Sequence, residues 1–406
     1  MNANLAPRQR ALVVGLGISG IASAVRLHQA GWDVQILERA PERRRGGYFI
    51  GVFGTGLAAA ERMGIELPNR MSDALATYNV DRSGRRTRAM NFTDAVPGRV
   101  RPVMRGDIED AAYKALSADV AIRYSSAPAA IRQDPGGVEV DIENRADGTA
   151  STERFDLLVG ADGLRSTVRR TVFGPDEDCL HRLGYMLAAF ALPGAVPGFR
   201  QTDGLVMAEQ GRSAWVFPFA DRPPTVLFNY ASGDIDAEFT RSPIESLRAA
   251  FGPEPTGATL GWLLDRFEDA PDHLFDTPEQ VRLDRWHVGR VVLVGDAAWC
   301  PTLYSGMGAA TGLAGPDLLG TMLERHPGDI AAALGAWEAK LRPFIEYQQT
   351  TGMDMRKIFV PADPSEYRIR RLMNRMTGTA PGRRLFQTFQ HRSKAAKSKT
   401  LDIAAA

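Results

Sequence analysis

The 406-residue sequence predicts an α/β fold in which a strand–turn–helix domain is interrupted by a mixed β-sheet and followed by helices. Three observations predict it. Short, continuously apolar runs lead into glycine-rich turns near the N-terminus, at 156–163 and at 291–308. Between about residues 180 and 280 the pattern changes to alternating, aromatic-rich runs divided by Pro and Gly. From about 280 the first pattern returns, with helical periodicity to about 360.

ALVVGLGISGIASAVRLHQAGWDVQILER (11–39) reads as strand, tight turn, helix and strand. Ala11–Val14 has the unbroken apolar character of a strand buried on both faces. Ile21, Val25 and Leu27 follow at helical spacing, with Gly31 as the stop. Pro102 to Leu116 reads as a helix. Ala121–Tyr124, Val138–Ile142 and Phe155–Val159 read as strands, with turns at Asp134-Pro135-Gly136-Gly137 and Asp147-Gly148. LGYMLAAFALPG, SAWVFPFAD and TVLFNYASGD read as strands of the inserted sheet.

Lys plus Arg number 49 against 48 Asp plus Glu, a net charge of +1, which gives no single-signed field for nucleic acid or an anionic membrane. The arginine clusters at Arg43–Arg45 and around Arg368, Arg370 and Arg371 read as solvated surface. Two cysteines, Cys179 and Cys300, and six scattered histidines supply neither a disulfide framework nor a metal site. No secretory h-region precedes the first apolar run, and none of the apolar runs approaches a membrane span. A cytoplasmic monomer or weak dimer is expected.

Gly15-Leu16-Gly17-Ile18-Ser19-Gly20 fits G-x-G-x-x-G between a strand and a helix. The first glycine allows the turn, the second lets a pyrophosphate approach, and the third permits close helix packing at a positive helix N-terminus. Glu38, eighteen residues beyond Gly20, stands where a carboxylate accepts ribose hydroxyls and repels a 2′-phosphate. That favours FAD or NAD here. A second run, DLLVGADGLRSTVR (156–169), ends a strand in Gly160-Ala161-Asp162-Gly163 before Arg165 and Ser166 open a helix. A third, VVLVGDAAWCPTLYSGMGAATG (291–312), carries Asp296 past a strand end and then a Gly-x-Gly helix start.

These three motifs, in this order, resemble the class A flavoprotein monooxygenases, the para-hydroxybenzoate hydroxylase-like family. The likeness reaches to about residue 350. It implies a Rossmann-like FAD-binding domain in three parts (1–75, 101–180 and 279–330), a substrate-domain segment at 76–100 and a substrate domain at 181–278. C-terminal helices at 331–390 and a flexible tail at 391–406 complete the expected division. By the resemblance Asp296 meets the flavin ribityl chain, and Gly306, Met307, Gly308 and Ala309 offer backbone donors to the isoalloxazine. Arg105 reaches the ribityl–phosphate region. Asp162 belongs to the second fingerprint or, equally, caps its helix. The run Arg43-Arg44-Arg45-Gly46-Gly47 resembles the family's segment after the ribose-binding acid, which implies that one of its three arginines, with Arg45 among the candidates, touches cofactor or NADPH. Arg39, a candidate contact beside Glu38, reads equally as surface.

The sequence departs from the family pattern at Trp299, at Met307 and at Ala309 or Ala310. Trp299 and Met307 are expected to narrow the pocket, and Pro316 to interrupt the following helix. This stretch and GGYFIGVFGTGLAAAERMGI most resemble the branch with tetracycline-inactivating and antibiotic-tailoring monooxygenases.

The resemblance further implies NADPH or NADH as a transient electron donor, since there is one dinucleotide fingerprint. O₂ is the co-substrate, and a flavin C4a-hydroperoxide oxygenates an aromatic or polycyclic molecule. Trp215, Phe217 and Phe219 alternate, as do Phe228 and Tyr230, so each set shares a strand face. Such faces read equally as core or as pocket wall. Tyr304 and Tyr230 are candidates for a base. A non-oxygenating flavoenzyme of the same fold and a non-catalytic nucleotide-binding module are the rival readings.

Overall fold

A computed structural model describes residues 8–43, 46–70, 75–91 and 100–405. Its organising element is a six-stranded sheet in the order His287–Val288, Val291–Leu293, Leu157–Gly160, Arg10–Val14, Asp33–Leu37 and Ala121–Arg123. All neighbours run parallel except the His287–Val288 edge. Every residue of Leu157–Gly160 and Val291–Leu293 is buried, as strands covered on both faces require. The register aligns Val14 with Gly160 and Gly160 with Leu293. The three glycine-rich turns therefore leave adjacent strands side by side, at the carboxyl edge where open α/β sheets bind ligands.

The inserted sheet has seven strands in the order Leu274–Asp276, Tyr185–Ala191, Thr225–Ala231, Arg212–Phe217, Asp203–Glu209, Ala76–Val80 and Arg86–Ala89. It is mixed, because Asp203–Glu209 runs parallel to Ala76–Val80. Its back face packs on helices Pro243–Phe251 and Gly257–Glu268, burying Phe190, Phe228, Phe251 and Phe267. Helices Gly308–Arg325, Ile330–Phe359, Pro364–Thr377 and Ala380–Arg392 follow.

Several expectations are corrected. The segment expected to be helical from Pro102 is strand Val100–Met104, and the helix is Arg105–Lys114. Pro102 pairs opposite Gly51 in a two-stranded ribbon, a place that tolerates a missing N–H. The Asp107 carboxylate then accepts the Met104 N–H at 2.8 Å and starts the helix. Strand Ser126–Asp134 escaped notice because it is largely unburied and bulged at Pro128. Pro316 does not interrupt its helix. Gly308–Arg325 runs through it, held by packing against Ile18–Gln29, Gly54–Arg62 and Ile330–Phe359.

The expected flexible tail is folded. Helix Lys394–Ser398 docks on the first domain, the Lys399 carbonyl accepts Thr55 N–H at 3.1 Å, and Ile403 and Ala404 are buried. Its contacts with Phe53, Thr55 and Arg62 come from more than three hundred residues away in sequence, so no local pattern announces it.

Candidate active site

The loop from Gly15 to Gly20 is dictated by close approach. Gly15 has φ +107°, and a Cβ there would lie 2.5 Å from the Ala161 carbonyl. A Cβ on Gly20 would lie 1.9 Å from the Gly15 carbonyl. Gly17 instead faces open space, its nearest neighbour being an Arg105 nitrogen 3.8 Å from an ideal Cβ. The Glu38 carboxylate accepts Leu16 N–H at 2.9 Å and Ala40 N–H at 2.8 Å, which fixes it beside this loop with lone pairs to spare.

From this loop a cleft of about 350 Å³ extends to the inserted sheet. Gly17, Ser19, Arg105, Asp296, Gly306, Gly308 and Ala309 line it, together with Tyr48, Phe49, Phe217 and Leu227. Asp296 opens onto the cleft yet is enclosed by protein on its other sides. Burial pushes its carboxyl above the ordinary range, opposed by the Arg105 guanidinium. Cys300 beside it is pushed well above the usual thiol range by burial and by that same carboxylate. Arg105 itself pairs with Glu109 at 3.0 Å.

Of the four backbone donors expected at the third motif, two are engaged. Gly306 N–H bonds Leu303 O at 3.0 Å, and Met307 N–H bonds Ser305 Oγ at 3.0 Å. Gly308 and Ala309 supply the first N–H groups of an 18-residue helix, which have no partner within the helix. A Cβ on Gly308 would meet nothing within 4 Å, so the cradle is open there. Open space at Gly17, the Asp296 carboxylate on the cleft wall and the Gly308 and Ala309 N–H groups suit a phosphate, a hydroxylated chain and a polar ring edge, the groups that FAD would bring.

Other candidates lie elsewhere. The Asp162 carboxylate accepts Ser166 Oγ–H at 2.5 Å and Thr167 N–H at 2.6 Å, so its oxygens cap the helix Thr167–Val172 while Ala161 and Gly163 line the cleft. Arg39 is exposed, in a surface hollow with Arg43. Arg44 and Arg45 lie outside the described residues. Trp299 and Met307 do not narrow the cleft. Trp299 is buried against Trp286 and Trp337, at centroid separations of 4.9 and 6.0 Å, and Met307 is fully buried.

The inserted sheet divides its aromatic residues by face. Trp215 stands opposite Leu227 and Phe217 opposite Thr225, whereas Phe228 stands opposite Ala214. Two-residue periodicity therefore sends Phe228 to the helical layer, with Tyr230, whose hydroxyl donates to Glu238 at 2.9 Å. Both are corrected from pocket candidates to core. Tyr304 is likewise core, 1% exposed and packed on Tyr185 and Phe359, and burial raises its phenol far above the usual value. It is no base.

Phe49, Phe217 and Phe359 line both the cleft and an adjoining cavity of about 310 Å³. Phe49 stacks on Phe217 at 4.5 Å and 10°, and Trp215 lies 6.0 Å from Phe217 and 5.0 Å from Phe359. Phe49 and Phe359 were not singled out in sequence. Phe49 had a signal, the apolar aromatic run GGYFIGVFG, but Phe359 sits in a helix with nothing local to mark it. Among the described residues no His/Cys/Asp/Glu cluster suits a metal, and no helix is long and apolar enough to cross a membrane.

A family model described as FAD binding domain matches residues 8–326. An uncharacterised Mycobacterium tuberculosis protein, Rv1260, is 31% identical over 354 residues, covering 83% of this chain and 91% of that one. A flavin-dependent monooxygenase from an unknown prokaryotic organism is 28% identical over 374 residues, 88% and 91% of the two chains. The crystal structure of tetracycline destructase Tet(51) superposes with a TM-score of 0.75 at 24% identity, covering 95% of this chain and 98% of that one.

Proposed function

The chain belongs to the FAD-binding-domain family, the class A flavoprotein monooxygenases, and we propose that it oxygenates an aromatic or polycyclic small molecule seated against Phe49, Trp215 and Phe217. It is an FAD-dependent monooxygenase that draws electrons from NAD(P)H. The observation that carries the substrate reading is the shared aromatic partition, Phe49, Phe217 and Phe359, whose rings line both the cofactor cleft and the adjoining apolar cavity.

When bound, FAD supplies hydride acceptance and dioxygen activation. The chain's own residues then have separable tasks. The Gly15–Gly20 turn and the N-terminus of helix Ile18–Gln29 would hold the pyrophosphate, with Arg105 on the same cleft wall. Glu38 would accept from the ribose and Asp296 from the ribityl chain. Gly308 and Ala309 N–H groups, at the positive end of their helix, would hold the pyrimidine edge of the ring. The Phe49–Phe217–Trp215 stack orients a flat substrate and keeps water from the reacting face. The tetracycline-related branch makes antibiotics and secondary metabolites the first compounds to try. A cytoplasmic monomer or weak dimer fits this reading.

The test is to screen flat aromatic compounds for stimulated NAD(P)H oxidation under ¹⁸O₂. One ¹⁸O atom in the product per NAD(P)H consumed supports the reading. Reduced product without label, at full coupling, would make the protein a reductase of the same fold.

A further inference from the structure

The cavity beside the cleft carries charges for which the oxygenation chemistry has no use. Its walls are mainly apolar, with Met90, Trp215, Phe217, Met355 and Met373 among them, yet two cations from the C-terminal segment reach it. Arg370 comes from helix Pro364–Thr377 and Lys399 from just beyond Lys394–Ser398. They are 9% and 8% exposed. Cations so deep are ordinarily matched with carboxylates, because desolvating an unpaired charge is costly.

Here neither makes an ion pair with any described residue. Arg370 donates to the Ile358 carbonyl, and its guanidinium lies 5.3 Å from the Trp215 ring. Lys399 Nζ donates to Ser305 O at 3.1 Å and lies 4.4 Å from the Phe53 ring. Other charged groups on the wall are answered. Arg70 is bound by Asp107 and Asp221. Asp354 is 71% exposed and pairs with Lys357 at 2.9 Å. Burial lowers Lys399 to about 8 and Arg370 to about 10, as befits cations with no counter-charge.

The lysine is held in place. Its carbonyl accepts Thr55 N–H and Oγ1–H at 3.1 and 3.2 Å, Gln348 Nε2 donates to Ser398 Oγ at 3.1 Å, and Asp402 bonds Arg62 at 2.7 Å. A tail anchored on both sides of a buried ammonium is a built wall of the cavity.

We infer that Arg370 and Lys399 are specificity-determining residues that form an anion subsite in this cavity, so that the aromatic substrate enters as its carboxylate. Both cations line the same cavity without a carboxylate partner, and an anionic ligand group provides the missing negative charge. The inference rests on the oxygenase reading only for the use of the cavity as the substrate's seat.

Calorimetric titration of the flavin-loaded enzyme tests it with three matched pairs: benzoate and benzamide, 2-naphthoate and 2-naphthamide, anthracene-2-carboxylate and its amide. At least one acid is expected to bind about tenfold or more tighter than its amide, the scale of a charge-assisted hydrogen bond. Lys399→Met and Arg370→Met, which keep the apolar stems, are each expected to erase most of that preference by weakening the acid far more than the amide. Lys399→Arg should retain it.

Equal binding of acid and amide would overturn the inference, as would a preference surviving both Met variants or no acid binding at millimolar concentration. The flavin spectrum and its bleaching by NAD(P)H, read on the same samples, report separately on the oxygenase reading. A colourless protein defeats that reading, and a yellow enzyme indifferent to charge defeats only this one.

Discussion

The cofactor cleft and the cavity beside it share three phenylalanines but are built in opposite ways. The cleft is made largely of main chain. Three contiguous runs end adjacent parallel strands, and the register of Val14, Gly160 and Leu293 brings their turns together. The cavity is made of single side chains from remote places, Phe49, Trp215, Phe217, Phe359, Arg370 and Lys399. Backbone recognition needs glycine, helix starts and one or two carboxylates, which leave short patterns. Side-chain recognition needs a ring or a charge at one point in space, which leaves none.

Five variants sharpen this contrast. The largest effect is expected on the hidden face of the inserted sheet. Phe228→Ala should lose about 3–5 kcal/mol of stability by leaving a void among Phe190, Phe251 and Phe267, with substrate KM unchanged in what remains folded. Trp215→Ala, one position across the register, should do the reverse and raise KM with a small change in Tm. If both behaved alike in denaturation and kinetics, the division of the two faces would fail.

Asp296→Ala comes next. Losing a charge-assisted hydrogen bond of about 1.5–3 kcal/mol should weaken FAD about 10- to 150-fold, measured by fluorescence titration of the apoprotein. An unaltered affinity would remove the carboxylate from the cleft's chemistry.

Lys399→Met should raise the stability of the ligand-free protein by about 2 kcal/mol, because it deletes an unpaired buried charge. The sign with pH follows. Below about 8 the folded and unfolded lysine are both protonated and the penalty is complete. Between about 8 and the ordinary 10.5 the folded protein sheds the proton first, so this contribution makes stability rise with pH. Denaturant melts at pH 7 and pH 10 should show that rise in the parent and not in the Met variant.

The smallest effect belongs to Tyr304→Phe. Its hydroxyl makes one long contact, 3.4 Å to Asn229, so stability should change by less than about 1 kcal/mol and kcat not at all. A large loss of kcat would return it to the catalytic list.

The α/β class, the inserted sheet and the cleft's floor were legible because apolar runs and glycine spacing are local signals. The faces of the inserted sheet were only half legible. Alternation groups Phe228 with Tyr230 and Trp215 with Phe217 but does not say which group faces the cleft, since that depends on pairing across strands. Asp162 illustrates a different limit, as one carboxylate position serves capping or ligand binding and only its hydrogen bonds decide. Arg370 sits in an arginine-rich run that reads as solvated surface, and Lys399 in a basic tail that reads as frayed. Their burial comes from contacts with Trp215, Phe53 and Thr55, all far away in the chain.

The central claim is that a flavin lies across the three turns with its pyrimidine edge on the helix that begins at Gly308. A crystal structure of the protein purified with its flavin tests this most directly. The expected result puts the Gly308 and Ala309 N–H groups within hydrogen-bond distance of the ring edge and the Asp296 carboxylate on a ribityl hydroxyl. A flavin bound elsewhere, or one whose ring turns away from Gly308, would contradict it.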